Sequence, residues 1–285
     1  MLSPLARAVA TLSLTTLVTF SGGIGAWGHA LKKQCPQYER VIPAPIDSWN
    51  AGALSSGGAQ DTNGSFNGAF VGGVAIDPNA NTQLPGIPTS AFQFDGSTGF
   101  INMGPDAGDF GQGDFSLEAW FYWDGRGSSV GNIIRKSNYP AGGNGAGYWI
   151  RILQSSSTLE FFVGEPVTGS PGASLVTPVT PGEWHHVVGT RSQGTIVLYL
   201  DGVRAAAISS GSGLTPGFDV NSTALFTVGA WSDRFGPTEF FSGEMFEASL
   251  YSAVLTDRDV EALFYLGTTG HCFHPLPVGV AGVRG

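Results

Sequence analysis

Short runs of aromatic and β-branched residues recur between residues 90 and 254, and glycine, proline, aspartate or asparagine borders each run. This pattern predicts short β-strands joined by tight turns. The clearest run is residues 115–123, in which every second side chain from Phe115 to Phe121 would face a core while the others face away. We therefore expect an all-β protein, an antiparallel two-sheet jelly-roll sandwich.

The expected strands are residues 90–94, 100–103, 115–123, 132–136, 147–153, 158–164, 183–191, 195–200, 203–209, 224–230 and 243–254. Residues 44–65, rich in Gly, Ser, Ala and Asn, are interpreted as a linker. One short helix follows the last strand. Thr256 is expected to cap this helix, Asp259 to complete a capping box and Gly267 to end it.

The composition restricts both the fold and the partners. Of the 285 residues, 43 are glycine, 17 are proline and only 12% are charged, which favours strands and turns over long surface helices. Lys and Arg number 13 against 22 Asp and Glu, so the net charge is −9. A phosphate backbone would be repelled, and no nucleic-acid partner is expected.

Residues 1–30 resemble a secretory signal peptide. Arg7 gives a positive start, residues 9–20 form a short apolar run, and Gly28-His29-Ala30 matches a small-residue cleavage site. Cleavage there, or after Ala26, predicts a secreted or extracytoplasmic chain, in a periplasm or on a cell surface. The alternative is a membrane anchor over residues 9–27, although a span needs about 20 mainly apolar residues. A membrane is expected as a partner only if this segment is retained.

The two cysteines bracket the expected domain. Cys35 lies in an N-terminal arm, residues 31–46, and Cys272 lies in a C-terminal tail, residues 268–285. In an oxidising compartment such a pair is expected to form a disulfide that closes a very large loop. The alternative is a metal site in residues 271–274, which would lack a second ligand cluster.

The segment Trp184-His185-His186 raises the question of a metal or catalytic site. Neighbouring residues of a strand point to opposite faces, so these two histidines cannot hold one metal ion together. Asp201-Gly202, which separates two apolar runs, is typical of a two-residue hairpin turn. Both features favour a structural role within a sheet.

The order of the motifs resembles the laminin-G-like jelly-roll family of the concanavalin A-like superfamily. The segments that carry the resemblance are residues 61–73, 91–104, 115–123, 182–203 and 241–264. They indicate one domain over residues 47–267. The resemblance implies that the Trp-His-His segment is a central strand and that neither histidine is a catalyst.

Many members of this family carry a calcium ion on the rim of the sandwich, so the resemblance also implies a calcium site. Asp61 and Asn63 match its first element. Where the second element would supply an aspartate, this chain has Phe246, followed by Glu247. Calcium takes several oxygen ligands, so the expected site of Asp61, Asn63 and Glu247 lacks one carboxylate.

The same superfamily includes glycan-cleaving enzymes, which need two carboxylates flanking the scissile bond. These enzymes typically place them two residues apart, on one face of a strand. Glu244 and Glu247 are three apart, so we expect them on opposite faces. The sequence also contains no His-Glu-x-x-His or phosphate-loop motif. The chain is therefore not expected to be an enzyme.

Two long loops remain as a candidate ligand-binding surface, residues 136–149 and 229–241. Planar aromatic rings beside amide and carboxylate groups suit a sugar or a protein ligand. The candidate binding residues are Asn138, Tyr139, Asn144, Trp231, Asp233, Arg234 and Phe235. The alternative is that Trp231 and Phe235 fold back onto the core.

These features favour an exported, non-catalytic binding or adhesion module that recognises a glycan or a protein through its rim loops. The alternative is a structural accessory subunit of a larger extracytoplasmic or membrane-associated assembly, held by its N- and C-terminal arms. The first function predicts a monomer with an exposed loop site, and the second predicts buried arms.

Overall fold

The computed structural model describes residues 42–80, 83–127, 129–138, 146–164, 172–208, 217–233 and 235–271. The first nine strands in this part of the chain are β1 Asp47–Ser55, β2 Gly58–Asp61, β3 Gly68–Val71, β4 Val74–Asp77, β5 Ala91–Asp95, β6 Phe100–Gly104, β7 Phe115–Trp123, β8 Val130–Ser137 and β9 Gly147–Leu153. The remaining strands are β10 Thr158–Gly164, β11 Ala173–Pro178, β12 Trp184–Ser192, β13 Thr195–Leu200, β14 Val203–Ile208, β15 Phe226–Val228, β16 Trp231–Asp233, β17 Gly236–Thr238 and β18 Ser242–Tyr251. The helix α1 spans Asp257–Thr269.

Sixteen of these strands form one continuous antiparallel sheet. Its main path runs β11-β10-β9-β8-β15-β6-β3-β2-β1-β18-β7-β12-β13-β14, with β5 beside β18 and β4 beside β5. The two end strands, β11 and β14, lie in contact, so the sheet curls until it is nearly a barrel. Strands β16 and β17 form a small separate sheet. The expected all-β, antiparallel architecture with one helix is confirmed, although the ladder of the described residues is continuous rather than divided into two large sheets.

The core lies inside the curled sheet, and β7 supplies it with alternating side chains as the sequence predicts. Phe115, Leu117, Ala119 and Phe121 are completely buried in one hydrophobic cluster, together with Phe161 of β10 on the facing strands. Burial of a large apolar side chain contributes about 1.5–3 kcal/mol. The side chains between these core residues face outwards, and they decide what the outer surface can do.

The interpretation of residues 44–65 as a linker is wrong, because this segment forms β1 and β2. Its small residues carry little strand propensity, but Trp49 anchors it in the core. Trp49 is completely buried, its Nε1 donates a hydrogen bond to Phe66 O at 2.7 Å, and its ring stacks on Phe226. Antiparallel pairing with β18 then holds the segment in the sheet.

The helix begins as predicted but ends later than expected. The Thr256 side chain accepts a hydrogen bond from Asp259 N, and the Asp259 side chain accepts one from Thr256 N, which completes the capping box. Gly270, with φ of 68°, ends the helix, rather than Gly267. Gly267 lies inside α1, where only glycine fits, because a Cβ at this position would collide with the ring of Trp120 on β7. Its role is to let the helix approach the sheet closely.

Several predictions concern residues outside the described ranges. Residues 1–41 and 272–285 lie there, and with them Cys35, Cys272 and most of both arms. The signal peptide, the disulfide and assembly through the arms therefore stay predictions. Within the described ranges, no helix is both long enough and apolar enough to cross a membrane.

Candidate binding site

The two histidines of β12 lie on opposite faces of the strand, as expected. His186 Nε2 is 2.9 Å from Glu118 Oε1, on the outer side of the sheet that α1 covers. His185 Nδ1 is 2.9 Å from Asp201 Oδ2, at the turn between β13 and β14. Asp201 and Gly202 have φ of 52° and 79°, the positive values that this two-residue turn requires. Each histidine thus binds a carboxylate of the fold itself.

A buried polar network surrounds Glu118 beneath α1. Tyr251 Oη donates a hydrogen bond to Glu118 Oε2. Glu247 is only 3% exposed, and its Oε1 accepts hydrogen bonds from Ser48 Oγ at 2.8 Å and from Ser249 Oγ at 2.6 Å. Burial, and after it the negative charge of Glu118, raises the pKa of Glu247 to about 8. This network is closed to solvent, so its role is structural.

The expectation that Glu244 and Glu247 face opposite sides is wrong. Glu244 lies opposite Tyr122 and Glu247 lies opposite Trp120, and the register of β18 against β7 shifts between these pairs. Phe246 is the extra residue of this β-bulge, so both glutamates face away from the core. Glu247 is nevertheless buried while Glu244 is partly exposed. Burial, rather than spacing, argues against a catalytic pair of the kind that flanks a scissile bond.

The candidate calcium residues do not converge on one open point. Asp61 accepts hydrogen bonds from four backbone N–H groups at 2.9–3.1 Å, and these bonds fix the loop after β2. The donors are Ser48, Asn63, Gly64 and Phe66. The Asn63 side chain donates to Pro45 O, and Glu247 belongs to the buried network. Among the described residues, no group of three or more Asp, Glu, His or Cys side chains could hold a metal ion. Calcium binding stays a prediction.

The loop at residues 229–241 forms the hairpin β16–β17, which lies over the outer face of β8. The guanidinium carbon of Arg135 is 4.2 Å from the ring centre of Trp231. At the hairpin tip, Phe235 is 82% exposed, and its N–H donates to Asp233 Oδ1 at 2.8 Å. Trp231 therefore packs on the outside of the sheet rather than in the core, and Phe235 remains at the surface.

Trp231 belongs to a stack that continues across three strands. Phe162 of β10, Trp149 of β9 and Arg135 of β8 are direct cross-strand neighbours. The ring centres of Trp149 and Phe162 are 3.8 Å apart, and Arg135 lies 4.4 Å from the Trp149 ring. Cation–π contacts of this kind stabilise a fixed geometry. We call this surface the hairpin face; its residues are Arg135, Trp149, Arg151, Glu160, Phe162, Trp231, Asp233, Phe235 and Glu239.

Carboxylates neutralise the two arginines of the hairpin face. Arg151 Nε is 2.5 Å from Glu160 Oε2, and Arg135 Nη1 is 3.2 Å from Glu239 Oε2. Burial lowers the pKa of Arg135 to about 10, against the opposing charge of Glu239. Two donors of this face, Arg135 Nε and Trp231 Nε1, are buried and have no hydrogen-bond partner among the described residues. Such donors are uncommon in folded proteins.

The structure unites only part of the predicted site. Trp231, Asp233 and Phe235 lie together in the hairpin, whereas Asn138 lies at the end of β8 and donates to Thr223 Oγ1 at 3.3 Å. Tyr139, Asn144 and Arg234 lie outside the described residues.

Sequence reasoning missed the residues that β8, β9 and β10 contribute, although a signal was present. In residues 147–153, the core residues alternate with Trp149 and Arg151, so both of these side chains must share the outer face. The same alternation places Glu160 and Phe162 beside them on β10. Which outer residues matter depends on the hairpin that lies over them, and this placement cannot be derived from the alternation.

The family model Laminin_G_3, of the concanavalin A-like lectin/glucanases superfamily, matches residues 95–261. The chain belongs to this family. The matched residues run from the end of β5 into α1, so they include the hairpin face and the network around Glu118. No curated protein matches the sequence.

Solved structures share the fold at low sequence identity. Domain 4 of AbnA, an extracellular arabinanase from Geobacillus stearothermophilus in complex with arabinotriose, is 17% identical, with a TM-score of 0.53 over 77% of this chain and 97% of that one. The Ruminococcus gnavus IT-sialidase CBM40 bound to α2,3-sialyllactose is 13% identical, with a TM-score of 0.50 over 61% and 96%. A Trypanosoma rangeli sialidase mutant is 16% identical, with a TM-score of 0.58 over 79% of this chain and 33% of the enzyme. At these identities the likeness shows the fold alone.

Proposed function

We propose that this protein is an exported, non-catalytic jelly-roll module that binds a glycan through the hairpin face. The observation that carries the proposal is Phe235, an aromatic ring 82% exposed at the tip of a hairpin. A side chain in contact with a ligand is most useful when the structure behind it is fixed. Here the stack of Trp231 on Arg135 and Trp149 provides that support.

Polar groups of the hairpin face would fix the orientation of a bound sugar. Arg151 and Glu239 are 20% and 25% exposed, so each still presents polar atoms to solvent. A few such groups around an aromatic surface are the usual composition of a small-ligand site. The sugar-binding neighbours, solved with arabinotriose and with sialyllactose, support the same class of ligand.

Binding of the purified full chain to a glycan array, followed by calorimetry with the strongest ligand, tests the proposal. Phe235→Ser is expected to weaken binding at the hairpin face at least about tenfold, a loss of about 1.4 kcal/mol. Val203→Ser is the matched control, because Val203 is 67% exposed on β14 and lies outside the hairpin face. Equal affinity of both variants for every glycan would show that the hairpin face is not the site.

Export and the monomeric state need a separate measurement on protein from its native source. We expect a free chain whose first peptide begins near Leu31, as cleavage of the signal peptide requires. Co-migration with a large complex, with residues 1–30 intact, would instead support the structural accessory subunit of a larger assembly.

A further inference from the structure

A row of four side chains crosses the outer face of the sheet beside the part that α1 covers. Gln93 of β5 lies opposite Glu244 of β18, Glu244 lies opposite Tyr122 of β7, and Tyr122 lies opposite Trp184 of β12. Adjacent strands are about 4.8 Å apart, so the row is roughly 14 Å long. All four side chains are at least partly exposed. We call these four residues the open row.

A cavity lies at the Gln93 end of the open row. Its volume is about 540 Å³, within the range of roughly 300–1,000 Å³ that is usual for small-molecule sites. Besides Gln93, Glu244 and Tyr122, its walls include Asp95 and Asp124. Asp124 Oδ2 accepts a hydrogen bond from Ser242 Oγ at 2.8 Å, and Asp95 accepts bonds from the backbone of residues 97–99. Both walls are therefore fixed by the fold before a ligand arrives.

The chemistry of the open row suits a polyhydroxylated ligand. The ring centres of Tyr122 and Trp184 are 6.0 Å apart and their planes are inclined by 52°, so neither ring covers the face of the other. The side chain of Glu244 hydrogen-bonds to those of Gln93 and Asp77. The Gln93 amide and the Glu244 carboxyl group each have further donor or acceptor sites for hydroxyl groups. Aromatic bodies with a few polar groups between them are the composition expected of a carbohydrate site.

The charges around the cavity select against acidic ligands. Among the described residues of its lining, Asp95, Asp124 and Glu244 supply three carboxyl groups and Arg126 supplies one cationic group. Arg126 is already paired with Asp124, at 3.1 Å. Burial, followed by the charge of Asp77, raises the pKa of Glu244, so a further negative charge is disfavoured here. The hairpin face contains two arginines, both paired with carboxylates.

We propose that the open row and its cavity form a second carbohydrate site, which takes a neutral saccharide and excludes sialylated and other acidic sugars. The proposal rests on the proposed function only for the class of ligand, because it uses none of the residues of the hairpin face. It gives one chain two sugar sites on different surfaces, so that one molecule can bridge two glycans.

The test uses the full chain carrying Phe235→Ser, so that binding at the hairpin face is weakened. Lactose, arabinotriose and α2,3-sialyllactose are the probes, and lactose and sialyllactose differ by the acidic sugar. The protein is expected to bind at least one of the neutral probes, and to bind sialyllactose at least about tenfold more weakly than lactose. Adding either Tyr122→Ala or Gln93→Ala is expected to weaken neutral-sugar binding about tenfold. Gln93 is exposed, so its replacement should disturb the fold less than that of Tyr122. Adding Val203→Ser serves as the control.

Four outcomes separate this inference from the proposed function. Neutral binding that survives Phe235→Ser and is lost with Gln93→Ala supports the second site. Binding that disappears entirely with Phe235→Ser overturns the second site and leaves the proposed function standing. If Phe235→Ser leaves the affinity unchanged for every glycan that the unmodified chain binds, and Gln93→Ala abolishes it, the hairpin face is refuted and the open row is supported. Sialyllactose bound as tightly as lactose at the open row, or no binding of the neutral probes by the unmodified chain, overturns the inference.

Discussion

The outer sides of β7, β12 and β18 contain two groups of polar residues, one buried and one exposed to solvent. Under α1, Glu118, His186 and Tyr251 bind one another and are buried. A short distance along the same strands, the open row keeps Glu244 and Tyr122 in contact with solvent. We call the first group, together with the buried Glu247, the covered network. The two groups have similar side chains, and they differ in that the 13-residue helix α1 covers only the first.

This difference shows that cover, rather than residue type, decides which polar cluster becomes a site. A buried carboxylate must have all its partners within the protein, and Glu118 has them in His186 and Tyr251. An exposed carboxylate can leave part of its hydrogen-bonding capacity to a ligand. Val260, Leu263 and Leu266 bury the inner side of α1 on the sheet and so set the boundary between the two groups.

The largest effect is expected from a matched pair of glutamate substitutions on either side of this boundary. Glu118→Ala leaves the buried His186 and Tyr251 without a partner and should cost about 3–5 kcal/mol of unfolding free energy. Glu244→Ala removes a partly exposed carboxyl group and should change stability by less than about 0.5 kcal/mol. Urea unfolding of both variants measures the contrast. If Glu118→Ala lowered the free energy of unfolding as little as Glu244→Ala does, the covered network would not stabilise the fold.

A smaller effect should follow from changing how closely the cover sits. In an ordinary helix, Gly→Ala gains about 0.5–1 kcal/mol. At Gly267 the added methyl group would collide with Trp120, and overpacking costs about 1–3 kcal/mol, so Gly267→Ala is expected to lower the melting temperature. Glu261→Ala, at an exposed position of α1, is the control that should leave it nearly unchanged. A more stable Gly267→Ala protein would show that α1 does not press on the sheet.

The covered network should also make the free energy of unfolding depend on pH. The pKa of Glu247 is raised from 4.5 to about 8 in the folded protein, so the folded state favours the protonated side chain. The resulting contribution to the free energy of unfolding is complete below about pH 4.5 and is lost as the pH rises through about 8. Glu247→Gln should flatten this part of the curve. Asp47 and His185 also titrate with raised pKa values, but they are present in both proteins and cancel in the difference. Parallel curves from pH 5 to pH 9 would contradict the assignment.

Strands with strong local patterns could be predicted to the residue. Residues 147–153 and 158–164 were expected as strands and form β9 and β10 with the same limits. β1 and β2 were missed because their Gly, Ser and Ala residues become strands only through pairing, β1 with β18 and β2 with β1 and β3. The bulge at Phe246 was missed for a related reason, since a change of register depends on the partner strand.

The candidate sites divide in the same way. Phe235 and Trp231 could be selected because aromatic residues in a long loop stand out from the sequence. Arg135 and Tyr122 could not be selected, because each lies in a segment whose sequence predicts only a β-strand. Their significance comes from what lies above them, a hairpin in one case and open space beyond the edge of a helix in the other.

The smallest expected effect concerns His185, which faces the opposite side of β12 from the covered network. Burial lowers the pKa of His185, but the hydrogen bond and charge of Asp201 outweigh burial and raise it above 6.5. The resulting stabilisation is complete below about pH 6.5 and is lost as the pH rises through the raised value. Because Asp201 is 35% exposed, solvent screens the pair, and the contribution should be below about 1 kcal/mol. Asp201→Asn keeps a residue that tolerates positive φ and an acceptor for His186 N, so the turn should survive. An NMR titration of His185 should then give a lower pKa than in the unmodified protein, and an unchanged value would show that Asp201 does not set the charge of this histidine.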